Sequence, residues 1–140
     1  MLTGATPDGR NAGEVLADGS ASPMRGRDTH GPTAVLRSAM KIERAGFQSL
    51  LHNMKIHPSS LKTTEDLKKL SDLIRTYFDN GGKHIQFNVV DKKTLLDAQK
   101  NPEAHRNVIV RVAGYSAYFI QLDKPMQDEV ILRTEHELRT

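Results

Sequence analysis

The sequence predicts an α+β fold in a single domain covering residues 1–140, and three observations carry that prediction. The stretch Thr64–Asn80 repeats apolar residues at helical spacing. Two short runs, His84–Val90 and Val108–Val112, are rich in the β-branched and aromatic residues that favour strands. The chain has 140 residues, of which 37% are hydrophobic and 26% charged, enough for one modest core and too few for two.

Residues 1–32 hold Gly4, Gly9, Gly13, Gly19, Gly26 and Gly31 with no periodic apolar pattern, so an extended, Gly-rich loop region is expected there. A helix and strand segment spans 33–105. Pro32 suits the first turn of a helix continuing over Thr33–Lys41, after which Gly46 interrupts the chain. Phe47–Pro58 carries Leu50, Leu51, Met54 and Ile56 and reads as a strand ended by Pro58. Thr63 with Asp66 resembles a capping box for the helix Thr64–Asn80. Leu67, Leu70, Ile74 and Tyr77 form its apolar stripe, Leu73 and Phe78 widen it, and Asn80-Gly81-Gly82 supplies a left-handed stop. In the strand His84–Val90, the residues Ile85, Phe87 and Val89 share one face. Asp91 caps a helix over Lys92–Lys100, closed by Asn101-Pro102. The last segment, 106–140, holds the strand Val108–Val112 and a helix over Pro125–Arg133 carrying Met126, Val130 and Ile131. The sum is about three strands and four helices.

Composition removes several function classes. There are no cysteines, which excludes disulfides, thiolate metal sites and a cysteine nucleophile within this chain. The formal charge is +3, but signs alternate along Glu65, Asp66, Lys68, Lys69, Asp72 and Arg75, as on a solvated helix face, and aromatics are few; no nucleic-acid partner is expected. No apolar run approaches the roughly 18 residues of a membrane span, and the start MLTGATPDGR lacks a secretory apolar core, so a cytoplasmic location is expected. The six histidines fit no metal-ligand spacing, and His52 and His57 should face opposite ways on a strand. No glycine pattern makes a phosphate loop. Asp28 and His30 lie near Ser20 and Ser22 without forming a triad, while Asp128 and Glu129 read as solvated surface.

One glycine is out of place. Gly114 stands alone after Gly82, inside the strand-like run NVIVRVAGYSAYFIQL. An isolated strand glycine usually marks a bulge or a close backbone approach. Here, however, Ile109-Val110-Arg111-Val112-Ala113-Gly114-Tyr115-Ser116-Ala117 matches the glycyl radical signature, with Arg111, Ala113, Gly114 and Tyr115 in their expected places. The chain resembles the C-terminal part of glycyl radical enzymes, the family of pyruvate formate-lyase, glycerol and choline lyases and benzylsuccinate synthase. Thr6-Pro7-Asp8-Gly9-Arg10, Leu16-Ala17-Asp18-Gly19, Ser22-Pro23, Gly26-Arg27-Asp28 and Gly31-Pro32-Thr33-Ala34 extend the likeness upstream. His84-Ile85-Gln86-Phe87-Asn88-Val89-Val90-Asp91, Leu95-Leu96-Asp97-Ala98-Gln99, Gln127-Asp128-Glu129 and Arg133-Thr134-Glu135 extend it around the loop, so it covers about residues 6–138.

The resemblance implies the C-terminal portion of a ten-stranded α/β barrel, with Gly114 as the radical site and Arg111, Val112, Ala113, Tyr115 and Ser116 supporting its loop. Glycine suits this chemistry because a planar Cα radical is shared between the flanking amides, and a β-carbon would crowd that plane. Shielding from water and oxygen calls for an apolar shell, for which Val110, Val112, Tyr115 and Phe119 are the expected residues. Arg111 either orients the loop by hydrogen bonds or is a strand-edge charge. The resemblance further implies that no cofactor is bound by the chain itself. A separate S-adenosylmethionine-dependent [4Fe–4S] activating enzyme installs the radical, and oxygen cleaves the chain there. The catalytic cysteine of such enzymes is absent, so the chain alone stores a radical without using it, and its partner is a cysteine-bearing large portion of an oxygen-sensitive lyase or formate acetyltransferase of anaerobic metabolism. Two origins fit: a module cut or split from a full enzyme, which the long upstream match favours, or a free-standing spare part that repairs an oxygen-cleaved enzyme, which Met1 directly before the match favours. Apolar faces meant for the barrel would promote self-association. A non-catalytic interaction domain, with Gly114 a mere bulge, is the competing class.

Overall fold

The computed structural model describes residues 3–7, 9–43, 50–133 and 135–138. Gly46 and the first three residues of the expected strand at 47–58 lie outside the described residues, as does Thr134. The elements are α1 (Pro32–Ala39), β1 (Asn53–Ile56), α2 (Thr64–Asp79), β2 (Gln86–Val89), α3 (Lys92–Lys100), β3 (Ile109–Arg111), β4 (Ser116–Tyr118), α4 (Lys124–Leu132) and β5 (Glu135–His136). Short 3-10 turns follow β1, α3 and β4.

The helices begin where their caps dictate. Thr63 accepts from the Asp66 amide at 3.1 Å while Asp66 accepts from the Thr63 amide at 3.0 Å, a complete capping box for α2. Asp91 accepts from the Thr94 amide at 2.7 Å at the start of α3, and Asp123 from the Met126 amide at 3.1 Å at the start of α4. Pro32 opens α1.

The fold is α+β, as expected, with five strands among the described residues rather than about three. Strands β2, β1 and β5 form a parallel sheet in that order, with Lys55 opposite Glu135 and Ile56 opposite His136. Strands β3 and β4 form a separate antiparallel pair. The extra strands have two sources: the apolar run around Gly114 folds back on itself, and the segment after the last helix adds a two-residue edge to β1.

Two apolar clusters result. Val35, Leu36 and Ala39 of α1 pack with Met54 and Ile56 of β1 and with Tyr77 of α2. Leu95 and Ala98 of α3 pack with Val110, Val112 and Phe119 of the hairpin region and with Val130 and Ile131 of α4. Leu95, Phe119 and Val130 are fully buried, each contributing about 1.5–3 kcal/mol of transfer free energy. The second cluster is what seats the hairpin on α3 and α4.

Two sequence expectations need correction. The described residues before α1 form no helix or strand, as a loop region should, yet part of that loop is packed: residues 20–22 run alongside the segment that leads into β1. Ala21 donates its amide to the Leu51 carbonyl at 2.8 Å, and the hydroxyls of Ser20 and Ser22 accept from the Leu51 and Asn53 amides, each at 2.9 Å. In β2, Val89 is half exposed and it is Asn88 that is buried, because the hairpin packs against the face expected to be solvated. Among the described residues, no helix is long and apolar enough to cross a membrane.

Candidate functional site

Gly114 occupies the tip of the β3–β4 hairpin. The ladder pairs Ile109 with Tyr118, Val110 with Ala117 and Arg111 with Ser116, and the Val112 amide then donates to the Tyr115 carbonyl at 2.9 Å. The reversal falls on Ala113-Gly114, and Gly114 has φ +79°, the left-handed sign that glycine adopts without steric cost. An added β-carbon would meet nothing within 4 Å. The glycine therefore serves a turn, not a bulge or a close approach.

The loop's surroundings are divided. Val110, Val112 and Phe119 are buried beneath it. Ala113, Gly114, Tyr115 and Ser116 are exposed, Tyr115 by 50%. The expected four-residue apolar shell is thus a three-residue floor. Tyr115 is not part of it, because the hairpin tip projects past the cluster that anchors its base.

Arg111 is held among polar partners at the hairpin base. Its Nε donates to Gln86 Oε1 at 2.8 Å, and its terminal nitrogens donate to Ser116 Oγ at 3.2 Å and to the Gly114 carbonyl at 3.3 Å. The guanidinium thereby ties β2, β4 and the glycine together, so of the two readings of Arg111 the hydrogen-bonded one describes its geometry. Val112 lies in the floor, and Ser116 is the hydroxyl partner of Arg111.

Three residues not singled out in the sequence complete the site. Asn88 bonds the Arg111 backbone on both sides, accepting from its amide at 2.6 Å and donating to its carbonyl at 2.8 Å. Arg133, with an 8% exposed side chain, donates to the Arg111 carbonyl at 2.9 Å and to the Val112 carbonyl at 3.0 Å. Its remaining donors meet the Glu129 carboxylate at 2.9 Å and Asp18 Oδ2 at 2.7 Å. The sequence carried a signal for Asn88, since Gln86 and Asn88 alternate with apolar residues; Arg133 and Asp18 meet only in three dimensions.

Other constellations resolve structurally. Asp28 pairs with the buried His136 at 3.3 Å, away from any serine triad. Burial holds the His136 pKa below its ordinary value, against the opposing pull of Asp28. His52, expected on a strand, precedes β1, where its Nδ1 lies 2.8 Å from the Ala21 carbonyl and burial lowers its pKa. His57 instead caps the 3-10 turn after β1. Glu129, expected to be solvated, is a partner of Arg133 and lies 3.6 Å from Arg25. Among the described residues, no three His, Asp or Glu side chains converge as metal ligands.

A family model described as "Glycine radical" matches residues 17–120, well over half of the chain and including the whole hairpin. The chain belongs to the glycyl radical family. It is 52% identical over 136 residues to the indoleacetate decarboxylase of Tractidigestivibacter scatoligenes, covering 97% of this chain and 16% of that protein. It is 50% identical over 133 residues to the 4-hydroxyphenylacetate decarboxylase glycyl radical subunit of Clostridioides difficile, covering 95% of this chain and 15% of that one. Among solved structures, the glycerol-bound form of the B12-independent glycerol dehydratase of Clostridium butyricum superposes with a TM-score of 0.89 at 57% identity, over 97% of this chain and 17% of that chain. The chain thus spans about a sixth of the length of these proteins, and its fold is that of the glycerol dehydratase over the matched stretch.

Proposed function

We propose that this chain is the radical-storage module of a glycyl radical enzyme, with Gly114 as the residue that loses an α-hydrogen. The observation that carries this reading is Gly114 itself: it lies within the stretch matched to the glycyl radical family, on an exposed hairpin tip, and is fastened at its carbonyl by Arg111. A residue placed so that an outside reagent can reach its α-carbon, on a base that is rigidly bonded, suits hydrogen abstraction by a second protein. That second protein is a radical-activating enzyme carrying S-adenosylmethionine and a [4Fe–4S] cluster; the hydrogen atom passes to it and the unpaired electron remains on Cα. Planarity at Cα lets the electron spread into the Ala113–Gly114 and Gly114–Tyr115 amides, and the cationic Arg111 donor on the Gly114 carbonyl favours the charge-separated form with negative charge on that oxygen. Val112, Ala113, Tyr115 and Ser116 shape the loop that carries it.

Storage alone is not turnover. With no cysteine in the chain, the group that takes the radical to substrate belongs to a larger cysteine-bearing portion, which also covers the exposed hairpin tip against oxygen. The parent reaction is of the lyase class, in keeping with decarboxylases and dehydratases among the relatives, in an oxygen-poor cytoplasm. The test is electron paramagnetic resonance of the intact protein after anaerobic treatment with a competent activating enzyme. A glycyl doublet that is absent from Gly114→Ala supports the reading, and no signal from the unaltered protein refutes it.

A further inference from the structure

We infer that Arg133 is a positioning residue for the radical loop: one buried guanidinium that holds the two backbone carbonyls leading into the Gly114 turn and ties them to two carboxylates on other elements. This rests on the assignment of the radical to Gly114. The carbonyls of Arg111 and Val112 are the last before Ala113-Gly114, and both point to Arg133, at 2.9 and 3.0 Å. Neither is left to solvent, although Ala113 and Gly114 beside them are exposed. On its other edge the same guanidinium is gripped by Glu129 at 2.9 Å and by Asp18 at 2.7 Å.

The placement follows from local structure. Arg133 stands at the C-terminal cap of α4 with φ −59° and ψ 139°, so the chain leaves the helix extended there. Glu129, four residues earlier on α4, is within reach of its guanidinium. Planar, five-donor geometry lets a single arginine satisfy two carbonyls and two carboxylates at once, which the single ammonium of a lysine cannot do. Charge matters as well as shape: two acidic partners hold the side chain, so its own position is fixed before it bonds the loop.

The radical is delocalised over the amides on either side of Gly114, and the Val112–Ala113 peptide that Arg133 holds is the next one upstream, so fixing it limits the orientations that the Ala113–Gly114 amide can take. Fixing that peptide gives one spin distribution; releasing it gives many. The role is therefore readable as line shape rather than as stability. The experiment compares the glycyl signal of the intact protein, activated anaerobically, with those of Arg133→Gln, Arg133→Lys and Leu36→Ala. Leu36 is buried in the other apolar cluster, so its truncation destabilises without touching the hairpin. The expected result is a broadened signal with loss of the resolved splitting and less spin per chain in Arg133→Gln, a weaker version of the same change in Arg133→Lys, and an unaltered line shape in Leu36→Ala. Wild-type line shape in the arginine variants overturns the inference, as does identical broadening in Leu36→Ala. If Arg133→Gln fails to fold, Arg133→Lys decides by the same criterion. Absence of any signal from the unaltered protein would instead strike the assignment of Gly114.

Discussion

Gly82 and Gly114 are both glycines that end a run of regular structure, and they are glycine for opposite reasons. At Gly82 a β-carbon would lie 2.2 Å from Cε1 and 2.3 Å from Cδ1 of Tyr77. That ring is buried, with its hydroxyl donating to the His84 carbonyl at 3.2 Å, so it has little room to move aside. At Gly114 there is open space, and only the positive φ disfavours a side chain. A packing glycine is read from its neighbours. A glycine with no neighbours is read from its backbone and, on the function proposed above, from the chemistry of its α-carbon.

The largest expected contrast is between substitutions at these two sites. Gly114→Ala should abolish the radical signal completely while costing only about 1–2 kcal/mol for alanine in the left-handed region, measured by denaturant unfolding alongside resonance. Gly82→Ala should do the reverse: about 1–3 kcal/mol of destabilisation from overpacking against Tyr77, with the signal per folded chain unchanged. Loss of the radical in Gly82→Ala with stability intact would break the contrast.

Acidification sharpens it further. His52, whose ring lies 6.1 Å from that of Tyr77, and His136 are both buried with pKa values held below the usual imidazole value, chiefly by desolvation. The unfolded chain takes up protons near pH 6.5 that the folded chain resists, so stability is full above that pH and declines as pH falls below it. The urea midpoint should drop between pH 7.5 and 5.5, with a shallower slope in His136→Asn. The smallest effect is at the far end of α2, where Thr63→Ala removes the capping hydroxyl for about 1 kcal/mol and leaves the signal untouched.

What the sequence disclosed follows the range of the forces involved. Local signals were readable: the Thr63–Asp66 box and the Asp91 cap stand in the structure where they were expected, while of the apolar stripe of α2 only Leu70, Leu73 and Tyr77 pack into the core and Leu67 and Phe78 are exposed. The hairpin was missed as a hairpin because three-residue strands around a single glycine look like one apolar run. Strand β5 is two residues long and exists only because β1 offers it an edge. The inward orientation of Asn88 is set by the arrival of β3, 23 residues later. The contact between Arg111 and the turn glycine Gly114 was within reach of the sequence because both fall within one nine-residue pattern. Asp18 and Arg133, 115 positions apart, were not.

The most direct measurement is the mass of the protein after anaerobic activation and exposure to air. An unpaired electron on the α-carbon of residue 114 predicts two fragments that part at Gly114, and none from Gly114→Ala. An unbroken chain of unchanged mass, from a preparation in which the activating enzyme is proven competent, would contradict it.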